Sequence, residues 1–194
     1  MLKTKFGLID TSKLEIISDI TNEYIVYKLS EDKVLKVSNG NHKQNSGKVL
    51  EELQGIPFVP KLYDYDEDYL ITQRIVGEDL ISIMLTSNFG LPDEFSIPEF
   101  DYERHKVNCF LFWDFCIAKG WLPGDVETTN VMIHEDGGFW FIDYGRFKRI
   151  DPIETMQWVA FRSTPEADLP KGIQSLLSWG EWLRNKYNKQ ESVR

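Results

Sequence analysis

Gly124-Asp125-Val126-Glu127-Thr128-Thr129-Asn130-Val131-Met132-Ile133, with Phe141-Ile142-Asp143-Tyr144-Gly145 a few residues on, is the stretch from which the rest of the chain is read. An Asp is followed five residues later by an Asn, and thirteen residues after that by a second Asp. Apolar runs bracket both pieces. Val131-Met132-Ile133 reads as a short strand, Glu135-Asp136-Gly137-Gly138 as a hairpin turn, and Phe139-Trp140-Phe141-Ile142 as the returning strand. Such a hairpin brings Asn130 and Asp143 to the same end of two paired strands. Two oxygen donors converging there suit a hard, octahedral cation such as Mg²⁺. The competing reading is a plain hairpin with acidic turns, because Asp and Asn are common in loops. Two spacings that agree, each next to apolar strand residues, weigh against it.

On these residues the sequence resembles the protein-kinase-like superfamily. The ordinary catalytic loop there is H-R-D-x-x-x-x-N and the metal motif is D-F-G. Here they read Pro123-Gly124-Asp125…Asn130 and Asp143-Tyr144-Gly145. The Gly before the Asp is similar to the H-G-D form of aminoglycoside phosphotransferases, RIO kinases and other small atypical kinases. The resemblance implies an α+β fold with two lobes. Residues 1–76 would form an antiparallel sheet with one helix, and residues 77–194 a mainly helical part, with a cleft at about residues 73–80. It also implies an ATP-dependent phosphotransferase, a small atypical kinase moving the γ-phosphate of Mg-ATP to a Ser/Thr or other hydroxyl, or to itself. Asp125 would align the acceptor hydroxyl and take its proton, and Asn130 and Asp143 would hold Mg²⁺. Two positions depart from the pattern. Pro123 stands where His is usual. Glu127 stands where a phosphate-binding Lys is frequent, which removes a positive charge and adds a negative one. The alternative is a pseudokinase, a regulatory module that binds nucleotide or protein without turnover.

Upstream, Leu14-Glu15-Ile16-Ile17, Tyr24 to Leu29 and Val34 to Val37 read as strands, with Ser30 to Lys33 as a turn. Ser18 to Glu23 is read as the loop that would cover the phosphates. It contains no glycine, and Asp19 and Glu23 would repel them. Lys36 is the one cation in an apolar strand. The resemblance gives it the α- and β-phosphates, with a Glu from the next helix to orient it. Lys48 to Leu53 is that helix, and both Glu51 and Glu52 are candidates, with Glu51 preferred. A strand enters at Phe58 to Tyr63, Asp64 to Asp68 turns it, and Tyr69 to Thr72 closes the first part. Gln73 to Gly77 then resembles a hinge. The backbone of Gln73 and Ile75 would read adenine.

Gly77 to Leu80 opens a short helix, and Thr86 to Tyr102 reads as irregular. Glu103 to Lys119 is the strongest helix, stopped by Gly120, with Val107, Phe110, Leu111 and Phe115 expected in the core. Two further helices are expected at 153–160 and 173–187. Forty-nine residues follow Gly145, fewer than an ordinary activation segment and helical lobe need, which is similar to the minimal kinases. Thr164-Pro165-Glu166 is the nearest string to A-P-E.

Composition limits the rest. With 42% hydrophobic and 13% aromatic residues, the chain can bury a core. A net charge of −9 argues against sequence-independent nucleic-acid binding and against docking on anionic lipid. No apolar run is long enough to span a membrane, and no signal-peptide core precedes it, so a cytoplasmic protein is expected. Cys109 and Cys116 fall on one helix face, too far apart along it for a disulfide. Arg146-Phe147-Lys148-Arg149 reads as a solvated turn or, alternatively, as a docking surface for an acidic group. The phosphate acceptor, protein or small molecule, is not named by any residue pattern.

Overall fold

The computed structural model describes residues 1–20, 23–39, 46–89, 95, 97, 100–161 and 169–188. It is an α+β fold with antiparallel sheets and, among the described residues, five α-helices. The main sheet is built from β3 (Glu15–Ile20), β4 (Tyr24–Lys28), β5 (Lys33–Ser38), β6 (Leu62–Tyr65) and β7 (Tyr69–Gln73), in the order β3-β4-β5-β7-β6.

Alternation along β5 sets what each face does. Leu35 packs in a small cluster with Tyr69 and Ile71, against Val37 and against Leu2 and Ile9. Those last two come from an N-terminal hairpin of β1 (Leu2–Thr4) and β2 (Gly7–Ile9). Period-two geometry therefore turns Val34 and Lys36 to the opposite face, where both line a cleft. Helix α1 (Ser46–Glu52) packs by that cleft through Leu50.

Two of the sequence expectations shift here. β3 continues through Ser18 and Asp19, which pair with Val26 and Ile25. The expected phosphate loop is thus shortened to the tip of a hairpin, whose Thr21 and Asn22 lie outside the described residues. Asp64 is not a turn residue but a strand residue at a register shift. It is buried because three groups satisfy its carboxylate: the Lys5 N–H at 2.9 Å, the Tyr69 hydroxyl at 2.8 Å and the Lys5 ammonium at 3.6 Å. The N-terminal hairpin itself was not anticipated.

After Gln73 the chain runs through β8 (Glu78–Asp79) into α2 (Leu80–Asn88), capped by Asp79 accepting from the Ser82 N–H at 2.8 Å. Helix α3 (Tyr102–Ala118) is capped by Asp101 and ends before Gly120, whose φ of 77° is left-handed. α4 (Pro152–Phe161) and α5 (Lys171–Tyr187) follow. The buried face of α3 is not the expected one. Tyr102, His105, Cys109, Phe112, Trp113, Cys116 and Ile117 are buried, whereas Val107, Leu111 and Phe115 are exposed. Both cysteines are free, buried thiols. The main core runs without a break from Leu50 of α1 and Leu53 just beyond it through Phe112 and Phe141 to Ile173 and Leu183 of α5. Thr164-Pro165-Glu166 lies outside the described residues. No described helix is long and apolar enough to cross a membrane.

Candidate functional site

β10 (Val131–Ile133) and β11 (Phe139–Phe141) pair antiparallel with Val131 opposite Phe141, and β8 adds to the other edge of β10. The Ile142 N–H donates to the Asn130 carbonyl at 3.1 Å. Asn130 and Asp143 therefore lie at one end of the hairpin. Phe112 stacks on Phe141 at 4.2 Å between ring centroids, and Phe58 stacks on Phe139 at 5.0 Å. These aromatic contacts hold the hairpin on α3 and on the segment before β6.

A second antiparallel pair, β9 (Trp121–Leu122) with β12 (Lys148–Arg149), brackets the two site loops from the other side. It presses the backbone at Gly124 against Arg146. A Cβ at 124 would overlap the Arg146 carbonyl oxygen, which is why a residue with no side chain precedes Asp125. Asp125 has a φ of 56°, the left-handed region that Asp and Asn tolerate better than most residues.

The polar groups then converge. The Asn130 amide donates to the Asp125 carbonyl at 3.0 Å and to Asp125 Oδ2 at 3.3 Å. Asp143 Oδ1 accepts the Gly145 N–H at 2.8 Å. Asp143 Oδ2 accepts from Lys36 Nζ at 2.8 Å, although the two residues are 107 apart in sequence. Tyr144 is fully buried, and its hydroxyl donates to the Phe141 carbonyl at 3.0 Å, anchoring the turn behind Asp143.

Lys36, Asn130, Asp143 and Tyr144 line a cleft of about 560 Å³, and Asp125 lies outside that lining, joined to it through Asn130. Its walls are apolar at Ile17, Val26, Leu70, Ile75, Met132 and Ile142, and the charged residues in the lining are Lys36, Arg74, Glu78, Asp79 and Asp143, with Asn130 beside them. Gln73 and Ile75 both line it. The Gln73 N–H and side-chain oxygen are engaged with Lys61, whereas Ile75 makes no backbone hydrogen bond to another described residue. Val76, which also lines the cleft, likewise makes none.

Glu51 is not brought to Lys36. Its carboxylate accepts from the Tyr65 hydroxyl at 2.8 Å. Glu52 holds Arg149 at 2.5 Å and the Trp121 indole at 3.0 Å. The Lys36 ammonium instead lies between Asp143 and the Tyr24 ring, 3.6 Å from its centroid. Burial first, then the fields of Asp143, Glu23 and Asp125, push the Tyr24 hydroxyl up to about 12. Tyr24 escaped the sequence reading. The only signal was its place in the strand next to Lys36, opposite Ser38 in the β4–β5 pairing.

The basic cluster is largely used within the fold. Lys148 pairs with Glu154 at 3.1 Å, Arg149 with Glu52 and the Trp121 face, and Phe147 is buried. Glu127 is exposed and outside the cleft lining. No family model matches the chain, and no curated protein matches it.

Proposed function

We propose that the chain is an ATP-dependent phosphotransferase with a protein-kinase-like architecture. In this reading a β-rich part, residues 1–76, sits over a helical part, residues 77–194, and Mg-ATP occupies the cleft at their junction. The observation that carries it is the meeting of Lys36 and Asp143 across 107 residues at 2.8 Å, in one cleft with Asn130, whose amide holds Asp125. Nothing in a plain acidic hairpin requires a lysine from a separate sheet to reach it.

The donor set fits a magnesium ion. The Asn130 nitrogen is used on Asp125, and the amide oxygen accepts no hydrogen bond from a described residue. Together with an Asp143 oxygen it offers two hard ligands, and Mg²⁺ commonly takes the rest from phosphate and water. The ion would neutralise charge on the β- and γ-phosphates.

The chain's own residues would do the rest. Lys36 exchanges Asp143 for the α- and β-phosphates. Ile75 offers backbone groups to the base, and the apolar walls exclude water from it. Asp125, oriented by the Asn130 amide and by the constrained backbone behind it, accepts the proton of the acceptor hydroxyl. The acceptor is a hydroxyl of a protein or a small molecule. The pseudokinase reading is favoured by one feature, the engagement of Lys36 by Asp143 and Tyr24 with Glu51 turned away to Tyr65. Incubation with Mg²⁺ and γ-labelled ATP separates the two. Transfer to the protein, to water or to a hydroxyl acceptor, lost in Asp125→Asn, supports the enzyme. Nucleotide binding with equal, negligible transfer in both proteins supports the module.

A further inference from the structure

Three cations follow Gly145, and two of them are used away from the cleft. Lys148 is paired with Glu154, and Arg149 is held by Glu52 and stacked on Trp121. Arg146 behaves differently. Its Nε lies 3.4 Å from Asp125 Oδ2, and its side chain is 72% exposed while that of Asp125 is 22% exposed. Its backbone is fixed against Gly124. Among the described residues Asp125 is its one polar partner, so both terminal nitrogens remain unspent.

The charge at this point is otherwise unfavourable for moving an anion. Val126, Glu127, Thr128 and Thr129 bring no cation to the loop, and Lys36 is assigned in the proposed reading to the α- and β-phosphates, not to the group in transfer. A phosphoryl group in transfer spreads negative charge over three equatorial oxygens, and a guanidinium presents N–H donors in a planar fork that matches such oxygens.

We infer that Arg146 is the transition-state cation of this site. Its Nε is held by Asp125, and its terminal nitrogens bind the oxygens of the γ-phosphoryl group in flight. The inference rests on the phosphotransferase reading. The bond from the γ-phosphorus to the ADP oxygen breaks and one to the acceptor oxygen forms. The acceptor proton goes to Asp125 and ADP leaves with the electron pair. Arg146 gains and loses no proton. It supplies from beyond the metal motif the positive charge that Glu127 does not.

The test is calorimetry on the full chain with MgADP alone and with MgADP plus aluminium fluoride, a planar stand-in for the phosphoryl group. Wild type should bind the second mixture more tightly. Arg146→Ala should bind MgADP as wild type does and lose the gain, by about 10²–10³-fold as for removal of one preorganised donor. Arg146→Lys should recover part of it. The inference is overturned if Arg146→Ala keeps the full gain, if it loses MgADP itself, or if wild type binds MgADP without any gain. If wild type binds no magnesium nucleotide at all, the phosphotransferase reading falls and this inference with it.

Discussion

Asp125 is held by constraints that can be separated by substitution. Its left-handed φ and the close approach of Gly124 to Arg146 fix the backbone, and Asn130 orients the carboxylate. Asn also tolerates that backbone, so Asp125→Asn changes the chemistry and leaves the fold. Loss of a general base typically costs about 10²–10⁴ in rate. Turnover measured with labelled ATP should fall by that much, with nucleotide affinity unchanged, whereas Lys36→Met should weaken both. Equal slow turnover in wild type and Asp125→Asn would remove Asp125 from the mechanism. Far from the cleft, His105 gives a second test. Burial holds its imidazole below the usual 6.5, opposed by the hydrogen bond to the Leu176 carbonyl. The unfolded chain takes up a proton near pH 6.5 that the folded chain refuses. The contribution is therefore full above about 6.5 and is lost as pH falls below it. Urea midpoints should drop between pH 7 and 5.5, and less steeply in His105→Phe. The placement of Asn130 and Asp143 at one end of a hairpin was legible because the spacing is local. The Tyr24 contact with Lys36 and the separation of Arg146 from the rest of its basic cluster were not, because both depend on contacts across the fold.

At the scale of elements, α3 shows why a helix can be read and its face missed. Its ends follow from Asp101 and Gly120. From Val107 onward, however, apolar residues occur on every side, so a 3.6-residue period selects no stripe. Packing selects one. Phe112 meets Phe141 and Phe139, while Phe115, three residues on, is 41% exposed. Phe112→Ala should cost about 3–5 kcal/mol by chemical unfolding. Phe115→Ala should stay within about 0.5 kcal/mol, as surface changes do. Similar losses in both would contradict this choice of face. The same helix explains Gly180 of α5. A Cβ there would run into the His105 ring, so Gly180→Ala should destabilise by about 1–3 kcal/mol despite its better helix propensity. A stabilised Gly180→Ala would show that α3 and α5 are packed less closely. Helix α1 was foreseen, but not its anchorage. Adjacent Glu51 and Glu52 could each have faced Lys36, and only the positions of Tyr65, Arg149 and Trp121, all distant in sequence, decide that neither does.

At the scale of the whole molecule, one core joins α1, the β10–β11 hairpin and α5, and the cleft lies beside it. Most strands of the main sheet and the site hairpin followed from alternation and turn residues, but not the strand order β3-β4-β5-β7-β6. The N-terminal hairpin did not, because a three-residue strand carries too little periodicity to read. With a net charge of −9, an anionic nucleotide gains nothing from the field of the molecule as a whole. In the proposed reading its affinity would come from Lys36, from backbone at Ile75 and from a cation shared with Asn130 and Asp143. That makes magnesium dependence the most direct test of the central claim. Calorimetric titration of ATP into wild type and Asp143→Ala, with and without Mg²⁺, should show tighter binding with the ion in wild type. Asp143→Ala should stay folded and lose the magnesium-dependent part. Equal affinity in both conditions for wild type, or no binding in either, would contradict the account.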